Sequence, residues 1–152
     1  GIGNFQNDSK VSQQCFVTSE PLTAAAAGIK VKTFLVADSG YNPYTAVLVT
    51  RRQRWQQSPA EVTSMVAAVR SGWEDYLQDP GPTNEFMSAL NRAMSVETFA
   101  QSAQAQRDLI KTGTTKRLGE MTQARWQTLA DQLLEINVVR QPVSVDDVFL
   151  EL

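Results

Sequence analysis

Hydrophobic residues follow two regimes along this 152-residue chain. Up to about residue 50 they come in short unbroken runs; beyond it they recur at helical intervals. Cys15-Phe16-Val17-Thr18, Val31 to Ala37 (VKTFLVA) and Tyr44 to Thr50 (YTAVLVT) are rich in β-branched and aromatic residues. Each is bounded by turn residues, so each predicts a strand. Between the first two, Ser19-Glu20-Pro21 and the alanines at 24–27 predict a short helix. Proline suits its first turn and Gly28 its end. Asp38 to Pro43 (DSGYNP) is turn chemistry.

The later regime predicts helices. Ahead of the runs, Asn7-Asp8-Ser9 are expected to open a short helix through Val11 to Gln14. Ser58-Pro59-Ala60-Glu61 has the form of a capping box with proline at the first helical position. Behind it Val62, Met65, Val66, Val69, Trp73, Tyr76 and Leu77 share one face, which puts Trp73 in the expected core. Asp79-Pro80-Gly81-Pro82 stops that helix, and Thr83 is the expected cap of the next, through Phe86, Met87 and Leu90. Ser95 caps a further helix that ends at Thr112 to Thr115, and Thr122 caps the last clear one. Pro142 to Leu152 leaves two alternatives open, a docked short helix or an irregular arm.

The expected fold is therefore α/β: a small mixed sheet, with Phe16, Val17, Phe34, Leu35, Val47 and Leu48 as inner members, and a predominantly helical C-terminal two-thirds. No repeat or low-complexity linker divides the chain, so residues 1–152 are expected to form one domain, strand-rich over 1–50 and helical over 51–152.

Composition narrows the chemistry. A net charge of −2 argues against a nucleic-acid surface. The one basic cluster, Arg51-Arg52-Gln53-Arg54, reads as a solvated turn. With one cysteine and no histidine there is no Cys/His zinc site, no Ser-His-Asp triad and no intrachain disulfide. Cys15 lies in an apolar run, where a free cysteine is expected to be buried. Glycines form neither GxGxxG nor a P-loop. No catalytic residue, metal or cofactor is expected. No apolar stretch approaches the roughly 20 residues of a membrane span. The start, Gly1 to Phe5, has no signal-peptide pattern and no methionine, so a processed or partial product is expected.

The run Gln13 to Pro21 (QQCFVTSEP) resembles the substrate-binding proteins of ABC transporters in the thiamine-precursor-like group, close to the nitrate and aliphatic sulfonate binders. The likeness continues through Val31 to Asp38 and Gly40 to Tyr44, then Met65 to Val69, Gly72-Trp73, Tyr76-Leu77 and Asp79-Pro80. Leu118 to Thr122, Arg125-Trp126 and Leu129 also fit it.

Such proteins have two α/β lobes with the ligand in the cleft between them, so the resemblance implies part of a type 2 periplasmic binding fold. The chain is expected to correspond to their C-terminal half.

The resemblance implies a small polar or nitrogen-heterocyclic solute as ligand, bound weakly by this chain alone. Glu20, Tyr41 and Tyr44 are the implied ligand-binding residues, at strand-end loops where α/β sheets hold their ligands. A carboxylate can accept from an amino-pyrimidine, and an aromatic ring can stack on it. The residues also read another way: Glu20 as a helix-start acid, and the tyrosines as packing residues flanking a proline turn. The implied partners are a membrane permease and, through an exposed sheet edge, a second copy as a homodimer. The implied location is periplasmic or extracellular; the absence of a signal sequence leaves the cytoplasm open. The alternative is a stand-alone truncated protein that folds as a dimer with no transport role. An enzyme is not expected, since the pyrimidine-synthesising relatives use histidines that this chain lacks.

Overall fold

The computed structural model describes residues 2–113 and 115–152. Helices account for all the regular secondary structure among them: α1 (Gly3–Asn7), α2 (Glu20–Ala26), α3 (Arg52–Gln57), α4 (Pro59–Gln78), α5 (Gly81–Leu90), α6 (Val96–Ile110), α7 (Gln123–Glu135) and α8 (Val145–Val148), with a 3-10 turn at Val36–Ser39. By contact the chain divides into two compact units, Gly1–Thr33 with Gly72–Leu118 and Phe34–Ser71 with Gly119–Leu152. The division falls inside α4.

No strand forms among the described residues, and the expected α/β fold is corrected to an all-helical one. The first run becomes a turn. Phe16 O accepts from Ser19 N–H at 3.0 Å, and Phe16 N–H donates to the Glu20 carboxylate at 3.1 Å, so these groups are spent on entering α2. The second run changes to a 3-10 turn at Val36, and the third is bent at Thr45 and Ala46. The turn between them closes no hairpin because its carbonyls are taken by α7, as described below. A β-prone run needs a second strand about 5 Å away to complete its ladder; propensity reports only how its side chains suit a pleated surface. The expected inner residues are accordingly open: Phe16 is 66%, Phe34 77% and Leu48 55% exposed. Leu35 and Val47 are exposed as well, and Val17 is half-buried. Cys15 is also exposed, not buried.

Helix ends follow local chemistry closely. Pro21 sits in the first turn of α2, and Gly28 follows its end at φ +75°, a backbone state that costs glycine little. Ser95 and Thr122 cap α6 and α7, each side chain accepting a backbone N–H three residues on. Residues 79–82 do end α4, but the next helix starts at Gly81 with Pro80 before it, so Thr83 lies inside α5 and caps nothing. Two segments depart from the hydrophobic pattern. Arg52–Gln57 is helical and not a turn, and the N-terminal helix precedes Asp8 instead of following it. Thr114, within the expected break after α6, lies outside the described residues. The C-terminal segment carries the short α8.

The first unit is held by α5 and α2 packing on α6. The buried residues of α2 and α6 are alanines, Ala24 and Ala103, and small side chains let helices approach closely. Leu77, Leu118 and Ile2 are also buried. Asn84 is 1% exposed, and its Oδ1 accepts from the Tyr76 hydroxyl at 2.9 Å. Burial raises the Tyr76 hydroxyl above the usual tyrosine range, against a smaller opposing effect of its hydrogen bond with Gln106. Arg107 of α6 donates to Leu77 O, a carbonyl in the last turn of α4 that the helix leaves unsatisfied. Trp73, expected in the core, is 39% exposed and meets Tyr76 edge-on with ring centres 5.6 Å apart.

In the second unit α7 packs on α8, where Val145 is buried. Gln123 Nε2 donates to Asp146 at 2.9 Å, and Arg52 donates to the backbone and carboxylate of Asp147 at 2.8 and 3.1 Å. Trp126 lies between Tyr44 and Phe149, with ring centres 5.8 and 6.0 Å away.

Removing the Tyr76 hydroxyl leaves a buried acceptor without its donor. Tyr76→Phe should cost about 1–3 kcal/mol, against about 1 kcal/mol for Ser95→Ala through its lost cap. Phe86→Ala, at a position 65% exposed, should stay within about 0.5 kcal/mol. Urea melts of the three variants check this order.

Candidate functional site

The most elaborate side-chain arrangement in the second unit joins residues 40–44 to the start of α7. Gly40 takes the left-handed conformation, φ +91°, and turns the chain out of the 3-10 segment. Its carbonyl accepts from Gln132 Nε2 at 3.0 Å. Arg125 grips the next residues: Nε donates to Asn42 O at 2.7 Å, and Nη2 donates to Asn42 Oδ1 at 2.8 Å and Pro43 O at 3.2 Å. The same guanidinium lies 4.2 Å above the Tyr44 ring centre. The Tyr44 hydroxyl in turn accepts the Thr122 N–H at 2.8 Å, meeting a donor at the N-terminus of α7. Planarity and forked donors allow one arginine to hold backbone oxygens and cover a ring together. Gln132 and Arg125 are seven residues apart, about two turns, and so share a face of α7.

A concavity of about 350 Å³ lies between this loop and α7. Gly40, Asn42, Pro43, Arg125, Leu129 and Gln132 are among its lining residues. Its size suits a small organic molecule. The described residues contain no cluster of His, Cys, Asp and Glu that could hold a metal ion. Among them no helix is long and apolar enough to cross a membrane.

The sequence-derived residues fall as follows. Tyr41 and Tyr44 are in the second unit and Glu20 is in the first. Tyr44 belongs to the clamp just described. Tyr41, on the same loop, is 39% exposed. Glu20 opens α2, half-buried, and its own N–H and that of Phe16 hold its carboxyl below the ordinary glutamate range. This is the behaviour of a helix-start acid. Sequence reasoning did not single out Arg125, Asn42 and Gln132 as partners. The available signal was faint: polar Thr122, Arg125 and Gln132 recur at helical spacing beside the apolar face of α7.

Two outcomes follow from this geometry. Arg125→Met removes three hydrogen bonds and the ring contact, most of them exposed, and should cost about 1–2 kcal/mol. Arg125→Lys should recover less than half of that, because an ammonium cannot fork; urea melts decide. For Glu20 the folded pKa lies below its unfolded value, so its charged form stabilises the protein above the unfolded value. That contribution is lost as pH falls through the folded value. Glu20→Gln should be less stable than the parent near neutrality, and the gap should narrow as the parent's Glu20 carboxyl becomes protonated in both the folded and the unfolded state, as thermal melts across the acid range would show.

No curated protein and no solved structure gives a significant match to the chain. The family model described as NMT1/THI5 like matches residues 10–82. Glu20, Tyr41 and Tyr44 fall inside that span; Arg125, Gln132 and the helices after residue 82 fall outside it. Over residues 10–82, a little under half of its length, the chain is thus similar to the NMT1/THI5-like family.

Proposed function

We propose that the chain is a solute-binding component, or part of one, of an ABC uptake transporter, and that its ligand is a small polar or nitrogen-heterocyclic solute. The family match over residues 10–82 carries this reading. Its task is binding and release, not catalysis, and its working partner is a membrane permease reached from the periplasmic or extracellular side. Taken separately, Glu20 in the first unit offers an acceptor, and Tyr41 in the second offers an exposed ring, to such a solute. Tyr44, already engaged by Arg125 and Thr122, acts by holding the loop that carries Tyr41. The exposed Val47, Leu48 and Val49 support self-association into a homodimer.

The test is an NMR titration with 4-aminopyrimidine. The reading expects saturable shifts at Glu20 and Tyr41 with an affinity around 1 mM, about −4 kcal/mol. Unchanged signals at both residues, or shifts confined to other segments, would remove them as ligand residues. Light scattering across the micromolar range should show a dimer; a monomer throughout would end that part of the proposal.

A further inference from the structure

The concavity beside α7 has a chemical character of its own, and it does not depend on the transport reading. Arg125, one of its lining residues, carries a full positive charge. Arg125 takes part in neither the Arg52–Asp147 nor the Arg54–Glu61 ion pair. Its Nε and Nη2 are committed to Asn42 and Pro43 oxygens, all of them uncharged. The two N–H groups of Nη1 have no such partner. Asn42 is in a similar position: its Oδ1 is used by Arg125, and its Nδ2 donors are left over.

No acidic residue lines the concavity. Around the fixed cation it thus offers the N–H donors of Arg125 Nη1 and Asn42 Nδ2. Pro43, Ala124 and Leu129 give the wall an apolar part, and Thr122, Thr128 and Gln132 add uncharged polar groups. A guanidinium already held in place by three acceptors needs no reordering to receive a fourth, which favours binding. Charge-assisted bonds from arginine to a carboxylate are the strong ones among protein hydrogen bonds.

We propose that this concavity is a binding site for a small organic monocarboxylate, with the carboxylate on Arg125 Nη1 and Asn42 Nδ2 and the carbon chain against Pro43 and Leu129. Attraction to the cation supplies the selectivity: an uncharged amide of the same shape keeps the apolar contact and a neutral hydrogen bond but lacks the charge-assisted ones.

The probe is butyrate, compared at constant ionic strength with butyramide, which matches it in shape and lacks the charge. Side-chain amide and guanidinium NMR signals report the site directly. Butyrate should saturate shifts at Arg125 and Asn42, and butyramide should bind at least about tenfold more weakly, a difference of about 1.4 kcal/mol. Arg125→Lys, which keeps the charge, should retain part of the butyrate affinity, and Arg125→Met should lose it. Because Arg125 also secures the loop, the butyrate–butyramide comparison on the unaltered protein carries the decision. Equal affinity for the two probes, shifts confined to other residues, or no saturable shift with butyrate would each overturn the proposal.

Discussion

The forked grip of Arg125 on residues 42 and 43 is the interaction on which the second unit depends. It draws a chain segment from the first third of the sequence onto a helix 83 residues later. It fixes Tyr44 below the guanidinium, and through the Tyr44 hydroxyl it completes the N-terminus of α7 that Thr122 caps. Trp126, the next residue on α7, then meets Tyr44 at a tilt and stacks on Phe149, so the link reaches the segment just after α8. These contacts are individually worth about a kcal/mol or so. Their value lies in acting on one short loop, where each holds the geometry that the others need.

The first unit relies on the same kind of device with different residues. An arginine from one helix, Arg107, satisfies a carbonyl at the end of another, and a tyrosine hydroxyl satisfies the buried Asn84. In both units a long polar side chain completes a backbone that regular structure leaves open. The buried apolar set includes two alanines, Ala24 and Ala103, beside Ile2, Leu77, Leu118 and Val145. Polar satisfaction therefore decides much of the arrangement, since an unmet buried group costs more than a met one contributes.

What could be read from the sequence divides along the range of the interactions. The caps at Ser95 and Thr122, the proline start at Pro21, the glycine after α2 and the stop at residues 79–82 are all set within a few residues, and they were legible. The strand assignments failed because a strand is defined by a distant partner. Glu20 captures the Phe16 N–H, and α7 captures the carbonyls of residues 40, 42 and 43. Neither event leaves a trace in the runs themselves. The burial expected of Trp73 failed for a related reason, since periodicity marks a face but not what covers it. For the candidate site, the loop of residues 40–44 was legible through its turn chemistry. The helix face that receives it was not, because Arg125 and Gln132 read locally as ordinary polar positions.

The central claim is that α7 captures the 40–44 loop, so that the runs on either side of it do not pair as strands. Amide hydrogen exchange followed residue by residue tests it most directly. The Thr122 amide, bonded to Tyr44 Oη at 2.8 Å, should be protected, while the amides of residues 47–50 should exchange at rates close to those of unstructured chain. Slow exchange in an alternating pattern along 31–37 and 44–50, with an unprotected Thr122, would mean that the runs pair as a hairpin and that the clamp does not form.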